Sequence, residues 1–191
     1  MRTENERSSD VSRAEGKLAG FVREARVDFR GLIVLDIGSS TGGWTEYALS
    51  RGAKQVIAVE RGTRQMKTPL RFDSRIELHE KTDIFEFETD APDMVMADVS
   101  FVSLTKVLAY ARMKLSRPGT RFLVMLKPQF EARPEQLVNG VVKNEKMRRE
   151  ILKRFESWLV KNGFVVEMKR DSEVKGRYGN LERLYYLSLA K

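Results

Sequence analysis

The sequence predicts an α/β protein, a doubly wound, mostly parallel Rossmann-like sheet with an antiparallel last strand. Short apolar runs that suit buried strands alternate with segments of helical periodicity along most of the chain. The first such run, "LIVLDIG", opens into the small-residue loop "SSTGG", as at the phosphate-side turn of nucleotide-binding sheets. The last two strand-like segments, "FVVEMKRDS" and "LERLYYLSLA", are separated only by "EVKGRYGN", too short a link for a crossover, so they must run antiparallel.

The first element is a short amphipathic helix. Ser12 and Glu15 fit a capping box, Leu18, Phe21, Val22 and Ala25 recur at helical spacing, and Lys17 lies near the helix start. Residues 1–11 are polar, without apolar periodicity, and read as a disordered tail ahead of one domain over 12–191. The strand "LIVLDIG" is followed by the helix "TGGWTEYALSRG", which Gly52 stops, and then by the strands "KQVIAVE" and "RIELHEK" on either side of a connecting segment. "DMVMADVSF" reads as a strand, "SLTKVLAYARMKL" as a helix and "RFLVMLKPQF" as a strand. Residues 131–145, interrupted by Pro134 and Gly140, read as a long functional loop. The helix after it is expected to bury Ile151, Leu152, Phe155, Trp158 and Leu159.

Composition narrows the function. A chain of 191 residues, 41% hydrophobic, suits one domain with a proper core. No apolar run approaches the roughly 20 residues of a membrane helix, and "MRTENERSSD" is unlike a secretory signal, so a cytoplasmic protein is expected. With no cysteine and one histidine, His79, read as an ordinary strand residue, neither a thiolate metal site nor a histidine relay is expected. The net charge of +8 favours a polyanionic partner such as nucleic acid, given a matching site.

In a doubly wound sheet, ligands bind beyond the carboxyl ends of the strands. Asp36 and the run Gly38, Ser39, Ser40, Thr41, Gly42, Gly43 and Trp44 stand at the end of the first strand. Glu60 closes the second strand, where a carboxylate can accept both hydroxyls of a ribose, and Asp83 follows the third, where it could meet an adenine amino group. The loop matches neither the dinucleotide fingerprint, which weakens a nicotinamide or flavin reading, nor a P-loop; the glycines and acids together, in this order at these strand ends, favour an adenosyl cofactor. A tight turn without ligand and a solvated strand end are the alternatives. Asp98 and Lys127 end two further strands. Glu182 opens the antiparallel last one, so all three could converge at one edge, or form a structural ion-pair network there.

The segments "VSRAEGKL", "LDIGSSTGGWT", "ADVSFVSL", "LKPQFE", "NGVVKN" and "GNLE" closely resemble, in order and spacing, the TlyA family of hemolysin-A-like proteins, whose methyltransferase domain is related to FtsJ-type RNA ribose methyltransferases. The resemblance covers the chain from Val11 onward. It implies the class I S-adenosylmethionine-dependent methyltransferase fold, S-adenosyl-L-methionine as cofactor, and 2'-O-methylation of a cytidine in ribosomal RNA or a ribosomal subunit, without a metal. It also implies a Lys-Asp-Lys-Glu tetrad on Lys17, Asp98, Lys127 and Glu182, although "SRAEGKL" stands where the family usually has "SRGGLKL". Members usually carry a small RNA-binding domain ahead of this region, which the residues before Val11 do not hold. The alternative readings are a hemolysin-like membrane-acting protein, for which the sequence offers no membrane helix, a non-catalytic RNA-binding relative, and a small-molecule methyltransferase.

Overall fold

The computed structural model describes residues 16–190 apart from Lys17 and Arg177. The expectations for the tail, the capping box and Lys17 therefore lie outside the described residues.

A helix, α1, over residues 18–24 leads to β1 (Ile33–Ile37), α2 (Gly43–Ser50), β2 (Gln55–Glu60), the short α3 (Thr68–Arg71) and β3 (Ile76–Glu80). Then come β4 (Met94–Ala97), α4 (Leu104–Tyr110) with a π-helical turn over Ala111–Leu115, β5 (Arg121–Leu126) and α5 (Pro128–Glu131). A small hairpin, β6 (Leu137–Val138) and β7 (Val141–Val142), precedes α6 (Glu145–Lys161), β8 (Phe164–Asp171) and β9 (Arg183–Leu189).

Seven strands form one sheet in the order β3-β2-β1-β4-β5-β9-β8, with β9 antiparallel to both β5 and β8. The period-two alternation of side chains explains why its central strands are apolar throughout. In β5, Phe122, Val124 and Leu126 enter the core under α4 and α6, while Leu123 and Met125 enter the one under α1 and α2. Chain order reverses between β1 and β4, which are parallel neighbours, so a crevice opens where the loops after Ile37 and Ala97 diverge.

Three expectations are corrected. The strand "RFLVMLKPQF" ends at Leu126, because Pro128 cannot donate to a ladder but suits the first turn of a helix, and Pro128–Glu131 form α5. The loop 131–145 contains the β6–β7 hairpin, whose Asn139 and Gly140 adopt φ of +50° and +77° as a two-residue turn requires; Asn-Gly between paired aliphatics is its sequence signal. Trp158 is only partly buried, packed beside Phe155 and Phe164 at the rim of the core. The expected element boundaries also shrink, with β4 ending at Ala97 and α2 starting at Gly43. His79 is a β3 residue whose Nε2 lies 2.7 Å from Glu77. Among the described residues no helix is long and apolar enough to cross a membrane.

Candidate active site

The loop after β1 is built by its glycines. Gly38 (φ +80°) and Gly42 (φ +90°) occupy left-handed conformations. A Cβ at Gly38 would lie 3.3 Å from the Asp98 carbonyl oxygen, and one at Gly42 only 2.6 Å from Leu70 of α3. These glycines let the protein's own loops close on one another. The Gly38 and Ser39 amides donate to the Val59 carbonyl at 2.9 and 3.2 Å, and the Lys67 amide donates to the Thr41 carbonyl at 3.2 Å. Gly43 and Trp44 begin α2, and the Trp44 ring is buried against the α1 side of the core.

Glu60 holds the other side of this loop. Its carboxylate accepts from the Ser40 amide at 2.9 Å, the Gly62 amide at 2.7 Å and Gln65 Nε2 at 3.3 Å, while Ser40 Oγ donates to Gln65 Oε1 at 3.2 Å. The acid at the end of β2 is therefore joined directly to the glycine loop. Asp83 sits apart from this cluster in its contacts: it caps the 3₁₀ turn Ile84–Glu86 by accepting from the Phe85 amide at 3.1 Å.

Asp36 shares a strand face with Val34 and so points toward α2, where Thr45 Oγ1 donates to its Oδ2 at 2.6 Å. Its Oδ1 is buried without a hydrogen-bond partner among the described residues. Burial pushes the Asp36 carboxyl up to about 7; the Thr45 bond opposes the shift, and the negative charges of Asp98 and Glu60 add to it. The folded protein thus holds this proton more tightly than the unfolded chain. The stabilisation it confers is complete below the unfolded value near 3.8 and is lost as pH rises through about 7. Asp36→Asn, which stays neutral, is expected to gain in stability relative to the parent by up to about 4 kcal/mol between pH 4 and pH 8. Denaturant unfolding at both pH values checks this; a stability difference that does not change with pH contradicts it.

Asp98 and Lys127 meet at the carboxyl edge. Lys127 Nζ lies 2.8 Å from Asp98 Oδ1, an ion pair off the ideal hydrogen-bond angle. It also donates to Ser100 Oγ at 2.8 Å and to the Asp98 carbonyl oxygen at 3.5 Å. Glu182 is 3% exposed, with Oε1 2.6 Å from where a Cβ on Gly176 would lie. The β5–β9 register pairs Leu126 with Arg183, so one further step sets Glu182 opposite Lys127. Three of the four positions expected for a tetrad, Asp98, Lys127 and Glu182, therefore lie at adjoining strand ends, whereas Lys17 lies outside the described residues.

Several residues at this edge were not read from the sequence. Phe101 is 90% exposed and holds a left-handed φ of +64°, with its ring 5.2 Å from that of Phe130. For a non-glycine residue that conformation costs about 1 to 3 kcal/mol, so the surroundings must enforce it. Asn180, buried in "GNLE", accepts from the Val142 amide at 3.0 Å and donates to the Gly140 carbonyl at 3.0 Å, tying the hairpin to the segment that carries Glu182. Asn in a loop gives no such signal by itself. Its partners lie about forty positions away in sequence and only the fold brings them together.

Residues 11–189 match the model of the FtsJ-like methyltransferase family. The chain belongs to that family. Among curated family relatives it is 38% identical over 184 residues to YqxC of Bacillus subtilis, covering 93% of this chain and 65% of the relative. It is 34% identical over 180 residues to the 23S rRNA (cytidine-2'-O)-methyltransferase TlyA of Campylobacter jejuni (92% and 70%), and 36% identical over 180 residues to Hemolysin A of Brachyspira hyodysenteriae (91% and 75%). The chain spans just under two thirds of the length of YqxC. A solved structure from Streptococcus thermophilus superposes with a TM-score of 0.89 at 33% identity, over 94% of this chain and 66% of that one. The family's fold extends to an S-adenosylmethionine-dependent methyltransferase from Mesorhizobium loti, with a TM-score of 0.63 at 14% identity over 91% of this chain and 97% of that one.

Proposed function

We propose that this chain transfers a methyl group from S-adenosyl-L-methionine to the 2'-hydroxyl of a cytidine in ribosomal RNA. The observation that carries the reading is the Lys127–Asp98 pair at 2.8 Å, set beside the glycine loop at the switch point of the sheet. The curated names of its TlyA relatives support the substrate class.

The residues present suit the cofactor. Glu60 offers a carboxylate to a ribose diol, because Gln65, the exposed member of its donors, can yield its place. Asp36 Oδ1, a buried acceptor still unspent, suits a cofactor that carries an ammonium group. Asp98 supplies negative charge on the opposite side of the Gly38 loop. When bound, S-adenosylmethionine supplies a methyl group on a positively charged sulfur, already activated toward an oxygen nucleophile.

A ribose hydroxyl is a weak nucleophile at neutral pH, so the protein must align it and accept its proton. Lys127 Nζ is the group placed to take that proton once its own has been given up, and the ammonium form is held by Asp98 and Ser100. Glu182, across the register from Lys127, is the further carboxylate that orients the hydroxyl, and Lys17 is the fourth member. Arg61, Arg64, Lys143, Lys146 and Arg149 are exposed on the segments that leave this edge after β2 and enter α6, which suits a phosphate-rich substrate.

The test is methyl transfer from labelled S-adenosylmethionine to undermethylated ribosomal RNA and subunits, followed by alkaline digestion. A ribose methyl blocks cleavage at the adjacent phosphodiester, so the label is expected in alkali-resistant dinucleotides. Label recovered entirely in mononucleotides rules out the ribose as acceptor.

A further inference from the structure

The two strand ends that supply Asp98 and Lys127 are braced by a residue outside the tetrad. Glu131 lies one helical turn beyond Lys127, at the end of α5. Its Oε2 accepts from Ser103 Oγ at 2.7 Å and its Oε1 from the Leu104 amide at 2.6 Å, across the start of α4. Residues 98–104 are thus gripped at both ends from one short segment: Lys127 holds Asp98 and Ser100, and Glu131 holds Ser103 and Leu104. Between these grips Phe130 packs against the strained Phe101. The clamp is anchored in turn by α6, where Arg154 donates to the Glu131 carbonyl oxygen.

We propose that Glu131 is a positioning residue for methyl transfer: by fixing the β4–α4 loop to α5 it sets the Lys127–Asp98 pair and the outward placement of Phe101. The inference rests on the function proposed above. Electrostatics fits a structural strut rather than a proton carrier. Burial pushes the Glu131 carboxyl up, yet its Ser103 and Leu104 donors and the Arg154 cation act against that, and both oxygens are already engaged as acceptors. Its partners belong to a loop whose backbone is unfavourable at Phe101, so without the clamp the loop is expected to relax. Asp98 then loses its fixed distance from Nζ, and a displacement of about 1 Å at a reacting centre is enough to slow a reaction substantially.

Glu131→Ala and Glu131→Gln test this. The amide of glutamine can accept from Leu104 while donating to Ser103 Oγ, so it can restore the brace without the charge. Glu131→Ala is expected to lower kcat for RNA methylation about tenfold while S-adenosylmethionine affinity stays within about twofold of the parent, since the Asp98 charge remains, and Glu131→Gln to recover most of that loss. A purely structural role would instead move cofactor affinity, melting temperature and kcat together. An activity-independent readout is the rate at which an amine-reactive reagent labels Lys127, followed by peptide mass spectrometry. It should rise several-fold in Glu131→Ala, because the side chain is only 12% exposed while paired. If the parent protein methylates no RNA, the proposed function fails, while the labelling still reports on the brace. A folded Glu131→Ala protein with parental kcat and parental labelling overturns the proposal. Should that variant fail to fold, Ser103→Ala, which removes a single donor, is expected to lose about threefold in kcat, and parental kcat and labelling in it overturn the proposal equally.

Discussion

Lys127→Ala is expected to slow single-turnover methylation of RNA by about 10²- to 10⁴-fold, the range usual for loss of a general base, while S-adenosylmethionine affinity stays within a few-fold of the parent. The expectation follows from where Nζ sits, between Asp98 and Ser100 at the end of a central strand and facing the edge where ligands bind. Alanine also removes the cation from a half-buried ion pair, so a lower melting temperature must be separated from lost chemistry. Lys127→Arg makes that separation. A guanidinium keeps the positive charge beside Asp98 but does not deprotonate in a protein, so this variant should fold like the parent and remain nearly as slow as the alanine one. A folded, cofactor-binding Lys127→Arg protein with parental rate eliminates Lys127 as the proton acceptor.

The second large effect is expected from Glu60→Ala, which should weaken S-adenosylmethionine binding about ten- to a hundredfold. Losing a charged hydrogen-bond acceptor costs about 1.5 to 3 kcal/mol. Here one carboxylate acts twice. It is the acid available to a ribose diol, and through the Ser40 and Gly62 amides it holds the glycine loop to the end of β2. Glu60→Gln retains an acceptor and should fall between parent and alanine variant. Calorimetry that finds no S-adenosylmethionine binding to the folded parent refutes the cofactor reading, whereas parental affinity in Glu60→Ala removes only the role of Glu60.

Much of this architecture was legible because it is written in local pattern. Apolar runs of four to seven residues between helical segments read directly as buried parallel strands, and the eight residues of "EVKGRYGN" required the antiparallel end of the sheet that β8 and β9 form. The rule that ligands gather at the carboxyl ends of such strands then singled out Asp36, Glu60, Asp98 and Lys127, since each position follows from where its strand stops. The errors fell where local pattern is weakest. "KPQF" continued a strand in hydropathy, but the missing amide of Pro128 turned it into α5, and the pairing of two-residue strands around Asn139-Gly140 was hidden in a polar segment.

By itself, then, the sequence determined the order of strands and helices, the reversal of the final strand and the strand ends on which a site could be built. The tertiary structure decided what those residues touch. Gly42 packs closely against Leu70, Glu60 pins the loop it faces, and Glu131, an ordinary acid in an apparent loop, braces the residues around Asp98. The division has a physical basis. Strand and helix signals arise from side-chain periodicity and backbone chemistry among near neighbours in sequence, whereas the bonds of Glu60 to Ser40 and of Glu131 to Ser103 join positions 20 and 28 residues apart and exist only once the sheet has brought the strand ends together.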